Sequence, residues 1–194
     1  MRRVILRRAR KTWRRSLELD SPNVTRRLVE SSALVVGPHP DDETLGAGAL
    51  IAAMRFQGRP VHMMSVTDGE RGQHLELTSA EDLAHLRRSE FRAACKVLGV
   101  EEAQISHLGI PDSAIGECLA EVTERIADLL RLLRPDVVLT TSSLDPHPDH
   151  QAVSKAVRSV VIGSGIAVCE YPIWAWTMWP WLDRRSLSVS ERAR

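Results

Sequence analysis

The sequence predicts an α/β protein with a Rossmann-like, three-layer fold around a mostly parallel central sheet. From residue 33 onward, short apolar runs of β-forming residues alternate with longer segments whose apolar residues recur at helical spacing. This alternation favours right-handed βαβ units, in which consecutive strands lie parallel. Residues 33–36 are all apolar, which is typical of a strand that helices cover on both faces.

The same patterns give the order of the elements. Strands are predicted over residues 33–37, 61–67, 104–108, 136–141 and 166–169, and helices over residues 43–57, 79–98, 114–133 and 150–161. The 3.6-residue period identifies the helices, and Gly58 and Gly99 mark the ends of the first two. The polar segment 69–78 is predicted to be a mobile loop over the edge at which the strands end.

The composition is that of an ordinary globular protein. The 194 residues are 43% hydrophobic and 26% charged, and no apolar stretch reaches the roughly 18–20 residues that span a bilayer. The first residues lack the apolar core and cleavage site of a secretory signal, and Cys95, Cys118 and Cys169 form no CxxC pair. We therefore expect a cytoplasmic protein with reduced thiols, and a nucleic-acid partner is not expected.

Residues 1–30 are predicted to be a basic N-terminal extension that precedes a single domain over residues 31–194. The extension holds ten Lys or Arg against three Asp or Glu, whereas the rest of the chain has a net charge of −6. Two interpretations are open: a basic amphipathic helix that lies on an anionic membrane surface, and a solvated terminal extension. We favour the second interpretation.

Two acidic–histidine blocks carry the functional signal, and each directly follows a predicted strand. The first block reads GPHPDDE (residues 37–43), and the second reads DPHPDH (residues 145–150). In an open parallel sheet, ligands bind outside the carboxyl ends of the strands, where the strand order reverses. Imidazole and carboxylate groups that converge there suit Zn²⁺, and three such ligands leave a fourth position for water.

The spacing within the blocks suggests a role for each side chain. His39, Asp42 and His150 are the candidate zinc ligands, and Asp41 is left beside the water as the candidate general base. His147 would stabilise the oxyanion in its protonated form, with Asp149 orienting the ring and favouring its charge.

Other interpretations of the blocks compete with this one. The prolines could mark turns, with Asp41 or Asp42 capping the next helix. The carboxylates could hold Mg²⁺, although two imidazoles disfavour that ion.

The paired blocks resemble those of the PIG-L/LmbE-type zinc-dependent N-deacetylases. Three stretches between the blocks also resemble family motifs, namely residues 66–70 (VTDGE), 86–100 and 110–112 (IPD). The resemblance covers about residues 33–175 and implies a Rossmann-like enzyme that removes acetyl groups from N-acetylated amino sugars and related conjugates. It implies the same roles for the residues of the blocks.

The resemblance further implies that Arg87 and Asp112 contact the substrate. For Arg87 the alternative is a surface salt bridge, and for Asp112 it is an ordinary Pro-Asp turn. Family members usually continue further, so this chain has a short C-terminal end. Its four closely spaced tryptophans, at positions 174, 176, 179 and 181, could form a pocket wall, a core or the contact of a homo-oligomer.

Two functions follow from these observations. The first is a zinc hydrolase that cleaves an acetamide in a small N-acetylated substrate. The second is a metal-binding module that lacks catalysis and acts as a binding or regulatory subunit, which the short C-terminal end would fit. Asp41, His147 and Asp149 favour the enzyme, because a purely binding role does not need them.

Overall fold

The structure is a computed structural model that describes residues 23–72 and 79–174. The strands are β1 (Ala33–Gly37), β2 (Val61–Thr67), β3 (Ile105–Ile110), β4 (Val137–Thr141) and β5 (Ala167–Tyr171). The helices are α1 (Thr25–Val29), α2 (Asp42–Phe56), α3 (Ala80–Val97), α4 (Leu119–Leu133) and α5 (Pro148–Val161), with a short 3₁₀ turn at Glu102–Gln104.

The five strands form one parallel sheet in the order β3-β2-β1-β4-β5. β1 lies at the centre, where Val35 is in register with Met63 of β2 and with Leu139 of β4. The chain first builds outward from β1 to β3 and then returns to place β4 on the other side of β1. The strand order therefore reverses between β1 and β4, and the predicted α/β fold with a parallel sheet is confirmed.

Helices cover both faces of the sheet, so the core has two halves. On one face Val35, Met63 and Leu139 pack with Ile51 of α2 and Phe91 of α3; the other face packs against α4 and α5. Successive residues of β1 point to opposite faces, and every residue of the strand is buried. This double burial explains why the strand is apolar throughout rather than alternating.

The end of the predicted N-terminal extension packs on the domain. Leu28 of α1 is partly buried against the same half of the core as Val35. Residues 1–22 of the predicted basic extension lie outside the described residues. None of the helices in the described part of the chain is long and apolar enough to cross a membrane.

The helix predicted over residues 114–133 begins five residues later, at Leu119. Ser113 has a positive φ of 66°, and the residues after it form turns, with Cys118 N bonded to Ala114 O at 3.2 Å. Ile115 is nevertheless completely buried, because the turn folds it back onto the core. The sequence pattern was misleading here, since a buried residue of a turn fell in phase with the helix that follows.

The helix predicted over residues 150–161 begins earlier, at Pro148. Proline suits the first turn of a helix, because the missing N–H has no partner there in any case. His147 is the N-cap, and its side chain accepts a hydrogen bond from the backbone N–H of Asp149. Asp149 and His150 consequently lie in the first turn of α5.

Two other predicted features fall partly outside the described residues. The loop predicted over residues 69–78 is described only up to Gly72. Of the four C-terminal tryptophans, only Trp174 is described, and its exposed fraction is 49%.

The packing of α2 against β5 predicts opposite effects for two glycine substitutions. A Cβ added at Gly46 would overlap the buried Tyr171 ring, whereas one at Gly48 would find its nearest neighbour at 3.8 Å. We expect Gly46→Ala to lower the free energy of unfolding by about 1–3 kcal/mol through overpacking. Gly48→Ala should raise it by about 0.5–1 kcal/mol, because alanine is the better helix former.

Urea unfolding of the two variants and the unmodified protein measures both effects. Equal free energies of unfolding for the two alanine variants would show that the Tyr171 ring is not closely packed against α2.

Candidate metal centre

The two acidic–histidine blocks meet at the edge of the sheet where the strand order reverses. The first block forms the turn from β1 into α2, and the second forms the turn from β4 into α5. Because β1 and β4 are paired in parallel, their carboxyl ends lie side by side. The sheet therefore brings together residues that are about a hundred positions apart in the chain.

Three side chains converge at this edge. Asp42 Oδ2 lies 3.1 Å from His39 Nδ1 and 3.3 Å from His150 Nε2. His39, Asp42 and His150 thus form a buried group that could hold a metal ion. Ligands placed about 2.0–2.1 Å from a tetrahedral zinc ion are separated by roughly 3.3 Å, so the observed spacing fits such an ion.

An unsatisfied nitrogen supports this interpretation. His150 is 1% exposed, and its Nε2 makes no hydrogen bond with any described residue, although Asp42 Oδ2 is near. A buried imidazole nitrogen without a partner is costly unless something else binds it. The residues present therefore fit a divalent ion with a preference for imidazole and carboxylate ligands.

The far nitrogens of both rings face carboxylates. His150 Nδ1 lies 2.9 Å from Asp145 Oδ2, and His39 Nε2 lies 3.2 Å from Asp149 Oδ2 and 3.3 Å from Asp112 Oδ1. Carboxylates in these positions orient the histidine ligands of metal sites. Sequence reasoning gave Asp145 no role, although an acidic residue five positions before a candidate ligand was a usable signal.

These carboxylates determine the charge of the rings when no metal is bound. Burial alone would lower the pKa of His39, but Asp112, Asp149 and Asp42 outweigh it and raise the pKa to about 11. Burial likewise opposes the charge of His150, yet Asp145 and Asp42 raise its pKa to about 9. Both rings are therefore imidazolium ions at neutral pH in the metal-free protein.

Asp41 lies beside the group without joining it. Its carboxylate is 47% exposed, and its Oδ2 accepts a hydrogen bond from Arg87 Nη2 at 2.8 Å. Arg87 Nη1 also donates to Gly69 O at 3.0 Å, so the guanidinium bridges Asp41 and the loop after β2. Burial and the charge of Asp42 raise the pKa of Asp41, and Arg87 opposes them.

The surroundings of His147 differ from those we expected. The carboxylate of Asp149 bonds to His39 and to the backbone N–H of Ser113, although it also lies within 4.8 Å of a ring nitrogen of His147. His147 Nδ1 instead accepts a hydrogen bond from Asp149 N at 3.2 Å. A nitrogen that accepts a hydrogen bond carries no proton, so the ring is neutral with its proton on Nε2.

The pKa of His147 is lowered, which also favours the neutral ring. Burial and the positive charges of His39 and His150 lower it, and they outweigh the carboxylates of Asp149 and Asp42. Asp149 favours the charged ring, as expected, but burial and the two neighbouring rings outweigh it, so the pKa of His147 is lowered rather than raised. His147 remains next to the candidate ligands, with ring centroids 4.9 Å from those of His39 and of His150.

Asp112 is buried and occupies a turn after β3. Its Oδ2 accepts a hydrogen bond from the N–H of Arg71, and its own N–H donates to Glu70 Oε1. Burial would raise the pKa of Asp112, but contact with His39 lowers it to about 2. Asp112 thus links the loop after β2 to the ring of His39.

Glu43 and Tyr171 add buried polar atoms that the sequence did not single out. Glu43 Oε2 and the Tyr171 hydroxyl have no hydrogen-bond partner among the described residues. Burial raises the pKa of Glu43 to about 7, with a further contribution from Asp42 and Asp41.

The fold and the converging groups define the class: a doubly wound α/β protein with a candidate metal centre at its switch point. The family described as PIG-L, GlcNAc-PI de-N-acetylase, matches residues 34–161, and the chain belongs to this family.

Individual relatives agree with this assignment. A probable N-acetyl-alpha-D-glucosaminyl L-malate deacetylase from Bacillus cereus is 31% identical over 69% of the chain and 62% of its own length. The N,N'-diacetylchitobiose deacetylase of Pyrococcus horikoshii has a structure similar to 81% of the chain and 66% of its own, with a TM-score of 0.66 and 26% identity.

A third relative catalyses a different reaction. The 4-carboxy-2-hydroxymuconate hydratase GalB of Pseudomonas putida is 30% identical, with a TM-score of 0.60 over 68% of the chain and 55% of its own. The chain spans about three fifths of the length of its two Bacillus relatives and about half that of the inositol-conjugate deacetylases it also matches. Family membership therefore leaves the reaction to be argued from the site.

The charge of the two rings predicts how zinc binds. Each imidazolium must lose a proton to become a ligand, so chelator-treated protein should release about two protons per Zn²⁺ bound at pH 7. Because His39 and His150 hold their protons up to pH values of about 11 and about 9, the apparent affinity rises with pH across the neutral range. If two protons are released per zinc bound, the apparent zinc affinity should fall approximately 100-fold for each unit by which the pH is lowered.

Isothermal titration calorimetry in two buffers of different ionisation enthalpy counts the protons. His147→Ala should release the same number, because its ring is not one of the three candidate ligands. A count near zero in the unmodified protein would mean that the rings are already neutral.

Proposed function

We propose that this chain is a zinc-dependent hydrolase that removes the acetyl group from an N-acetylated amino sugar or a related conjugate. The observation that carries the proposal is the convergence of His39, Asp42 and His150, whose ligand atoms lie within 4.8 Å of one another. Asp41 directly precedes Asp42 in the chain, and the His147 ring lies 4.9 Å from that of His150, so a candidate base and a candidate hydrogen-bond donor accompany the proposed ligands.

The donor set supports zinc over other ions. Two imidazoles and one carboxylate suit Zn²⁺, whereas Mg²⁺ prefers oxygen ligands. When bound, zinc would supply a Lewis acid and lower the pKa of a water molecule in its open position.

Asp41 is the proposed general base. Its carboxylate is adjacent to Asp42 in sequence and half-exposed, so it can reach a water molecule at the ligand group. It would take a proton from that water as the oxygen attacks the acetamide carbonyl. It would then return the proton to the departing nitrogen, which gives acetate and a free amine.

His147 is the proposed oxyanion donor, in its neutral form. Its Nδ1 accepts a hydrogen bond from Asp149 N, which leaves Nε2–H free to donate to the carbonyl oxygen as negative charge develops. The N-cap position of α5 holds the ring in this orientation. Asp149 acts on His39 instead, so its proposed role becomes that of orienting a ligand.

Arg87 and Asp112 remain proposed substrate contacts. The Arg87 guanidinium is bonded to Asp41, so a substrate that approaches the base also meets Arg87. Asp112 is buried and bonded to the loop after β2, so its contact with substrate would need that loop to shift.

The substrate class rests on the relatives together with the site. The Bacillus and Pyrococcus proteins are named as deacetylases of amino-sugar compounds. The GalB hydratase shows that this fold also serves other chemistry. A screen of N-acetyl sugars, inositol conjugates and thiol conjugates for release of primary amine tests the class directly.

The alternative, a metal-binding module without catalysis, is not favoured. It does not explain why a carboxylate that is no ligand and a histidine N–H accompany the ligand group. Stoichiometric zinc without amine release from any substrate in the screen would support it.

The setting of the enzyme is proposed from the sequence. Scattered cysteines favour a cytoplasmic location. The basic residues 1–30 are proposed to be an extension that precedes a single domain over residues 31–194. This extension is proposed not to bind a membrane. Association through the Trp-rich segment at residues 174–181 is proposed as the route to any homo-oligomer.

Replacement of the proposed base separates metal binding from turnover. Asp41→Asn should retain one zinc per chain and lose turnover by about 10²–10⁴-fold, because general-base catalysis contributes that much. Zinc content by elemental analysis and amine release measure the two effects. Asp128→Asn on the exposed surface of α4 is the matched control and should change neither. Near-normal turnover in Asp41→Asn would refute the assignment of the base.

Replacement of the proposed oxyanion donor should likewise affect turnover without affecting zinc binding. His147→Ala should lower kcat by about 10²–10³-fold, as loss of one oxyanion-hole donor does, while zinc stays bound. His147→Gln should recover part of the rate, because its amide N–H is a neutral donor. If His147→Ala loses its zinc and His150→Ala keeps it, the two histidines have exchanged roles.

A further inference from the structure

Asp145 opens the second acidic–histidine block and lies in the turn between β4 and α5. Its side chain is completely buried. Its backbone is held on both sides: Asp145 N donates to Ser142 O at 3.0 Å, and Gln151 Nε2 donates to Asp145 O at 2.8 Å. The turn therefore keeps the carboxylate in one place.

Among the described residues, the carboxylate oxygen Oδ2 of Asp145 accepts hydrogen bonds from two different parts of the fold. One comes from His150 Nδ1 at 2.9 Å, and the other comes from the backbone N–H of Ile173, also at 2.9 Å. The first bond places a proton on Nδ1, so Nε2 is the nitrogen that turns toward Asp42. The bond made by one ring nitrogen sets the role of the other.

The two donors connect distant features of the molecule. His150 belongs to the ligand group, whereas Ile173 lies two residues beyond β5, where the chain leaves the outer edge of the sheet. A buried carboxylate loses its hydration and depends on the donors it meets, so movement of either donor affects the other. Asp145 is thus a shared acceptor between the ligand group and the chain after β5.

We propose that Asp145 is the positioning residue of His150 and that it couples the metal centre to the segment that follows β5 through Ile173. The inference rests on the proposed function, because it requires His150 to be a metal ligand. Asp145 touches neither substrate nor metal in this scheme. It acts by holding the imidazole at the angle that aims Nε2 into the ligand group.

Zinc affinity is the first test. Asp145→Ala and Asp145→Asn should bind zinc about 10–100-fold more weakly, which is typical for loss of a carboxylate behind a histidine ligand. Asp145→Asn should be less affected, because its amide oxygen still accepts a hydrogen bond from Nδ1. Competition with a chromophoric chelator measures the zinc Kd, and circular dichroism confirms folding. If Asp145→Ala does not fold, the zinc Kd of Asp145→Asn alone tests the positioning role.

Glu170→Gln is the matched control. Glu170 is a carboxylate of β5 that bonds to Ser142 and Ser143 of the same turn but contacts none of the proposed ligands. Its zinc Kd should equal that of the unmodified protein. Equal weakening in Glu170→Gln and Asp145→Asn would overturn the proposal, since any lost carboxylate near the turn would then suffice.

Hydrogen exchange at the Ile173 amide is the second test. Zinc should slow this exchange in the unmodified protein and in Glu170→Gln, because a fixed His150 ring holds Asp145 in place. It should have no such effect in Asp145→Ala. Slowing of the same size in all three proteins would overturn the coupling.

His150→Ala distinguishes failure of this inference from failure of the proposed function. If His150→Ala still binds zinc tightly, the proposed ligand set is wrong. If His150→Ala loses zinc while the Asp145 variants bind it as tightly as the unmodified protein, only the positioning role is wrong.

Discussion

The structure depends most on the parallel pairing of β1 with β4. This pairing sets the carboxyl ends of two strands side by side, and each end carries one acidic–histidine block. The apolar interior on both faces makes the pairing firm, since every residue of β1 and of β4 is buried. A core that packs tightly on two faces fixes the backbone from which His39, Asp42 and His150 project.

The second constraint is electrostatic. Four buried carboxylates, at Asp42, Asp112, Asp145 and Asp149, surround two imidazole rings. Such a concentration of negative charge would be unfavourable in a protein interior without compensating positive charge. Protons on the rings provide the compensation when no metal is bound, and a divalent ion would provide it otherwise. The same carboxylates that favour protonation thus also prepare the site for a cation.

The loop after β2 extends this network to the protein surface. Arg87 reaches from α3 to both Gly69 and Asp41, and Asp112 joins the N–H of Arg71 to the ring of His39. Added Cβ atoms at Gly69 and Gly72 would lie within 3 Å of the Arg87 guanidinium, so the loop closes over that side chain. The proposed base, the ligand group and this loop are therefore connected through charged contacts.

The sequence alone determined the fold class, the succession of strands and helices along the chain and the edge at which the two blocks meet. Apolar periodicity carries that information, because burial on one or two faces restricts which residues can occupy each position. It failed where a turn imitated a helix, as at Ile115, since period alone does not distinguish a buried turn residue from a helical one. Only the tertiary structure decided which carboxylate faces which ring. In the structure Asp149 contacts His39, Asp145 contacts His150 and Arg87 contacts Asp41. The directions of these side chains depend on how separate elements pack, and the spacing of the residues in the chain does not give them.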